Sequence, residues 1–128
     1  MKILAVDREA QIAWAAGLFE GEGYFSIANR RRKDITMGLA MADKDVVERF
    51  VAIMGVGTLR QRMKPNVLWR WDVYKKSDVE TAINLLMPYF GDRRRAKAQE
   101  MLDHIKTMPG TGKSYAKIEL LRSLGLKE

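Results

Sequence analysis

Trp14-Ala15-Ala16-Gly17-Leu18-Phe19-Glu20-Gly21-Glu22-Gly23-Tyr24-Phe25 is an alanine- and glycine-rich stretch that reads as the end of a helix running straight into a strand. Ala13, Gly17 and Gly21 recur every four residues, so one helix face carries almost no side chain and a second backbone can approach it closely. Small residues at this spacing also pack membrane helices, but the apolar run here is far too short to span a bilayer. The expected partner is therefore another protein helix. Glu20 and Glu22 stand where the helix ends, and the macrodipole disfavours carboxylates there, so a positive group should compensate them. Two such helices packed at their small faces would bring two copies of Glu22 together, and paired carboxylates suit a divalent cation with oxygen ligands. A packed helix ending in a glycine cap, with two solvated glutamates, accounts for the same residues.

Around this stretch the chain has 128 residues, a length that fits one domain with a core of its own. Hydrophobic residues make up 47% of it, which agrees with a globular fold. There is no cysteine, so neither disulfides nor a thiolate metal site is available, and an intracellular setting is expected, cytoplasmic, organellar or phage-encoded. The start, Met1 to Asp7, is too short in apolar residues for a signal-peptide core, and no stretch could cross a membrane. The net charge of +7 favours an anionic partner. Its arginines fall in separate clusters rather than in one tail, which makes nucleic acid the leading candidate.

Upstream, Asp7 can cap a first helix that runs to about Phe19, with Ile12, Ala16 and Phe19 at helical spacing. Downstream, Tyr24 to Arg32 reads as a strand and Ile35 to Ala42 as its partner across a turn at Lys33-Asp34. In the second of these, Ile35, Met37, Leu39 and Met41 alternate with Thr36, Gly38, Ala40 and Ala42, which gives one core face and one small, open face. Tyr24, Ser26, Ala28, Arg30 and Arg32 would share the open face. Asp43 can cap a second helix through Met54, with Val46, Val47, Phe50, Ile53 and Met54 as its core stripe, and Gly55-Val56-Gly57 breaks it. Thr58 to Met63 and Val67 to Lys75 read as two further strands around a turn at Lys64-Pro65-Asn66. Trp69, Trp71 and Val73 face the core, and Arg60, Arg62 and Arg70 recur on alternate positions opposite. Such a face suits a nucleic acid; a plain solvated sheet surface is the competing reading.

Ser77 and Glu80 form a capping box for a third helix carrying Val79, Ala82, Ile83 and Leu86. Pro88-Tyr89-Phe90-Gly91 ends it. Asp92 can cap a fourth helix with Ala96, Met101, Leu102, Ile105 and Met108 inward, and its first turn is Arg93-Arg94-Arg95. That charge has the wrong sign for a helix start unless an anion sits there, since helix amides and arginine forks both bind phosphate. His104, between Leu102 and Ile105, reads as structural. Gly-Lys-Ser at 112–114 has neither the earlier glycine nor the preceding strand of a nucleotide-binding loop, so no nucleotide cofactor is expected. A short helix over 114–126 would place Tyr115, Ile118, Leu121 and Leu124 on one face.

Ala15 to Gly23 resembles the LAGLIDADG motif of homing endonucleases. Ala16-Gly17-Leu18 matches the motif's core, Phe19 an apolar position, and Glu20-Gly21-Glu22-Gly23 its acidic, small, acidic, glycine ending. The departures are Ala15 for the first leucine and glutamate for both aspartates, a change that keeps carboxylates. The resemblance runs from about Ile12 to about Met108, and the order helix, two strands, helix, two strands, helix, helix agrees with it. It implies an α+β fold, αββαββαα, in which four antiparallel strands form a saddle over DNA, with residues 1–128 as one domain, a core over about 7–108 and the tail at 114–126.

The resemblance further implies a site-specific double-strand DNA endonuclease of the kind tied to intron or intein mobility. With one motif and no internal repeat, it would act as a homodimer on a long pseudo-palindromic target, using Mg²⁺, Mn²⁺ or another hard divalent cation. By position, Glu22 matches the catalytic metal ligand with the Gly21 carbonyl beside it, Arg93 the basic pocket residue, and Asp43 the water-positioning residue. Ser26, Ala28, Arg30, Arg32, Thr36, Gly38, Ala40, Thr58, Arg60, Arg62, Arg70, Asp72 and Arg94 match DNA contacts. Ala13, Ala16, Gly17, Glu20 and Gly21 match the dimer interface. A non-catalytic DNA-binding regulator and an RNA-splicing maturase use the same fold and are the alternatives.

Overall fold

Strict alternation in the strands sorts their side chains into two layers, and the helices cover only the apolar one. The computed structural model describes residues 7–29, 34–108 and 124–125. Its elements are α1 (Asp7–Glu22), β1 (Gly23–Asn29), β2 (Asp34–Met41), α2 (Lys44–Met54), β3 (Thr58–Arg62), β4 (Leu68–Val73), α3 (Lys76–Leu86), a 3₁₀ turn (Met87–Tyr89) and α4 (Asp92–Thr107). The four strands form one antiparallel sheet in the order β1-β2-β4-β3. The expected α+β order is therefore present.

On the covered face Ile35, Met37, Leu39, Trp71 and Val73 are buried against Ile12, Ala15, Ala16 and Phe19 of α1, Val47, Phe50, Ile53 and Met54 of α2, and Val79, Ala82, Ile83 and Leu86 of α3. Trp71 is the hub. Its ring meets Phe50 edge-on at 4.8 Å and Phe19 at 6.4 Å, and its indole N–H donates to the Val56 carbonyl at 2.8 Å. Two glycines make that packing possible. Gly55 (φ +73°) is the left-handed cap of α2, and Gly57 (φ +87°) leaves room for Trp71 where a Cβ would stand 2.4 Å from the indole nitrogen.

Several boundaries differ from the sequence reading. α1 continues past Phe19 to Glu22, because the end of the helix is held by α4, as described below. The Ser77–Glu80 capping box does not form: Lys75 is the N-cap, the Val79 N–H bonds to its carbonyl at 2.9 Å, and Ser77 lies inside the helix. α4 likewise takes Gly91, not Asp92, as its N-cap. Its buried stripe is Ala98, Met101 and Ile105, while Ala96 faces out, so the inward face is set two residues away from the expected start. Asp43 does occupy the N-cap of α2, but its side chain makes no cap hydrogen bond. β1 ends at Asn29, with a bulge between Ile27 and Asn29 that takes Ala28 out of the ladder. Arg30 and Arg32 lie outside the described residues, as does the helix expected over 114–126 apart from Leu124 and Gly125, which form a turn with Leu124 exposed.

Candidate nucleic-acid interface

The uncovered sheet face can be read row by row, since residues paired across antiparallel strands project to the same side. One row is Tyr24, Gly38, Asp72 and Thr58; the next in one direction is Ala40, Arg70 and Arg60, then Leu68 and Arg62; in the other it is Ser26 and Thr36. The expected DNA-facing set thus shares one face wherever it is described. Arg60 and Thr58 are exposed, and Ser26, Thr36, Ala40, Arg62 and Arg70 are half-buried. Gly38 and Asp72 are buried.

Tyr24 explains that burial. Its hydroxyl donates to Asp72 Oδ1 at 3.1 Å, and Arg70 Nη2 donates to the same oxygen at 3.1 Å. Burial, then the Asp72 carboxylate, pushes the Tyr24 phenol above its ordinary value, and the same carboxylate raises the Arg70 guanidinium. Alternation places Tyr24 on the open face but not among the expected functional residues; a phenol separated from an aspartate by a single glycine of the same row is the arrangement that joins them.

A second feature lies where α1 ends and α4 begins. Glu20, Gly91, Asp92, Arg93, Arg94 and Lys97 line an open cleft of about 520 Å³. Here the charge conflict at the end of α1 is resolved. The Gly91 N–H, at the positive end of α4, donates to the Glu20 carboxylate, and Arg94 donates to the Glu20 carbonyl at 2.8 Å. Arg94 also lies over the Phe19 and Phe25 rings at 5.4 and 5.8 Å. Arg95 turns the other way and donates to the Phe90 carbonyl at 3.0 Å. The arginine run therefore splits into three roles: Arg93 is exposed, Arg94 is half-buried and bonded to the end of α1, and Arg95 is exposed but turned back to the Phe90 carbonyl. Lys97, one turn beyond Arg93, was missed; its i+4 spacing from Arg93 could have revealed it.

Glu22 ends α1 exposed, and no hydrogen bond or ion pair reaches it from the described residues. Antiparallel pairing puts the start of β1 and the end of β2 at one end of the sheet, so Glu22 and Asp43 share that end. Ala13, Gly17 and Gly21 are all exposed, and an added Cβ at Gly17 or Gly21 would meet nothing within 4 Å. Ala16 is fully buried in the core beneath α1 and Glu20 is tied to α4, so neither belongs to that outward stripe. Gly23 is different in kind: a Cβ there would stand 2.3 Å from the Phe19 ring, so this glycine is required by the chain's own packing. Among the described residues no group of three or more His, Cys, Asp or Glu side chains could hold a metal ion. None of the described helices is long and apolar enough to cross a membrane.

No family model and no curated protein matches the sequence. Solved structures do match the fold. The homing endonuclease I-CvuI, in complex with its target in the presence of Ca, superposes with a TM-score of 0.69 at 22% identity, over 89% of this chain and 77% of that one. The group I intron-encoded homing endonuclease I-CeuI, complexed with DNA, gives a TM-score of 0.67 at 12% identity, over 83% of this chain and 56% of that one. The LAGLIDADG meganuclease I-AabMI, bound to uncleaved DNA, gives 0.63 at 20% identity, over 73% and 36%.

Proposed function

On the premise of this LAGLIDADG homing-endonuclease fold, we propose that the protein is a metal-dependent endonuclease that cuts double-stranded DNA as a homodimer, at a long target with two-fold character. One observation carries the reading: among the described residues Glu22 stands exposed and unpartnered at the end of a helix whose outward glycines, Gly17 and Gly21, meet no described neighbour where a Cβ would stand. Glycine in a helix interior costs about 1 kcal/mol relative to alanine, so two of them facing open space need an external reason. A second copy of α1 packed on Ala13, Gly17 and Gly21 supplies it, and brings the two Glu22 carboxylates together. The outward arginines of the uncovered sheet face suit a phosphate backbone and base edges.

Among the described residues the end of α1 offers one unpartnered carboxylate, Glu22, so the cation site proposed between the helices draws on both copies. Carboxylate and carbonyl oxygens are hard donors that fit Mg²⁺ or Mn²⁺, and Glu22 with the Gly21 carbonyl would hold the ion. When bound, such an ion lowers the pKa of a water and offsets charge on the phosphoryl oxygens. The chain's own side chains do the rest. Arg93 offsets charge that gathers on the phosphate as the attacking oxygen approaches, and Asp43 accepts a hydrogen bond from the water at the same sheet end. Arg60, Arg62 and Arg70 hold the duplex.

The test is a randomised duplex library incubated with the protein, with and without Mg²⁺, followed by sequencing of the ends. Ends that require Mg²⁺ and flank a two-fold-related sequence are expected. Enrichment of bound sequences with no cut ends would replace the nuclease by a DNA-binding regulator, and a preference for structured RNA would point to a maturase.

A further inference from the structure

Asp72 is an odd residue to find at the centre of a basic surface. It sits on an interior strand, is 7% exposed, and uses one carboxylate oxygen to accept from both Tyr24 and Arg70. The strand between is cut away to allow this. Gly38 lies in the same row, and a Cβ there would stand 2.7 Å from Asp72 Oδ1 and 2.9 Å from the Tyr24 hydroxyl. Arg70 also stands directly opposite Arg60, a like-charge pair that would push both side chains apart. Asp72 offsets that repulsion and draws Arg70 towards itself.

We propose that Asp72 is a positioning residue: it clamps Arg70 so that the remaining N–H groups of the guanidinium read a guanine at one base pair in each half-site of duplex DNA. The inference deepens the DNA reading above and rests on it. Arginine matches the guanine O6 and N7 acceptors with two parallel N–H bonds, and only a guanidinium with its plane held in advance discriminates well. One Nη2 bond to Asp72 leaves further donors free, because the fork carries five N–H groups. The neighbouring carboxylate makes Arg70 a poor phosphate clamp. Arg60 and Arg62, on the edge strand β3, make no ion pair with a described carboxylate and suit the phosphates instead.

The experiment is selection of bound sequences from a randomised duplex library by the full chain, without divalent cations so that binding is read apart from cutting. Arg70→Ala and Asp72→Asn are each expected to lose a guanine preference of about 10-fold to 100-fold at the same base pair. Other positions should stay unchanged, and the double variant should lose no more than either single. Tyr24→Phe, which leaves the Asp72–Arg70 pair in place, should keep the preference. Loss spread over every position, or a guanine preference that survives Asp72→Asn, would overturn the clamp. A wild-type chain that enriches no duplex sequence would overturn the DNA reading and this inference together. Should Asp72→Asn fail to fold, side-chain NMR of the DNA-free wild type decides: a slowly rotating Arg70 guanidinium, assigned through Arg70→Lys, supports the clamp, and a freely rotating one refutes it.

Discussion

Glu20 and Glu22 are two residues apart at the same helix end, yet the fold treats them in opposite ways. Glu20 is absorbed: its carboxylate takes the Gly91 N–H at the positive end of α4, and Arg94 takes its carbonyl. Glu22 receives nothing from the described residues and stays exposed. The macrodipole argument applies equally to both, so helix electrostatics alone cannot explain the contrast. What differs is direction. Two residues turn a helix by about 200°, which sends Glu20 towards α4 and Glu22 away from it. Among the described residues the charge conflict is resolved at one carboxylate and not at the other, and the proposed dimer with its cation would resolve the second.

The contrast can be broken most sharply at Glu22. Glu22→Gln is expected to lower cleavage by roughly a thousandfold or more while leaving the melting temperature and DNA affinity in place, measured by gel cleavage, thermal melting and a binding isotherm. Unchanged cleavage would mean that the exposed glutamate is only a solvated helix end. Next in size is Gly23→Ala, which forces a methyl group into the Phe19 ring and should cost about 1–3 kcal/mol of stability, read by urea unfolding. Glu20→Ala should cost about 1 kcal/mol, seen as a melting temperature a few degrees lower, with cleavage falling only as far as the cleft loosens. Smallest is Gly17→Ala: the lone chain gains up to about 1 kcal/mol of helix stability, whereas self-association in sedimentation should weaken. A Gly17→Ala protein that dimerises as well as wild type would leave the outward glycines unexplained.

The same split runs through what could be read in advance. Apolar periodicity located every described helix and strand, because burial of one face demands the same spacing whatever the partner. Ile35, Met37 and Leu39 lie inward as their alternation requires, and Phe50 and Ile53 as theirs does. The misplacements are of another kind. Ala16 lies in the core with Ile12 and Phe19 as their spacing requires, whereas the dimer contact that the resemblance gave it does not fit that burial, since an alanine carries no chemical mark of which side it faces. Arg94, expected beside an outside anion, also binds the Glu20 carbonyl within the chain, because a charge run does not disclose which of its members the fold will use. Tyr24 was seen on the open face, but its bond to Asp72 joins residues 48 positions apart.

Local physics within the sequence was thus enough to settle the element order, the two-layered sheet, the basic face and the chemical identity of a carboxylate helix end. Each follows from a regularity that repeats within a few residues, so it survives without knowledge of the partner. Tertiary structure alone decided which glutamate is bonded within the chain, which arginine of three closes on the end of α1, and that Tyr24 reaches Asp72 across the sheet. Those outcomes depend on angstrom-scale approach between distant segments. A one-dimensional pattern shows which groups are present, and only the packing of α1, α4 and the sheet shows which of them are already spent.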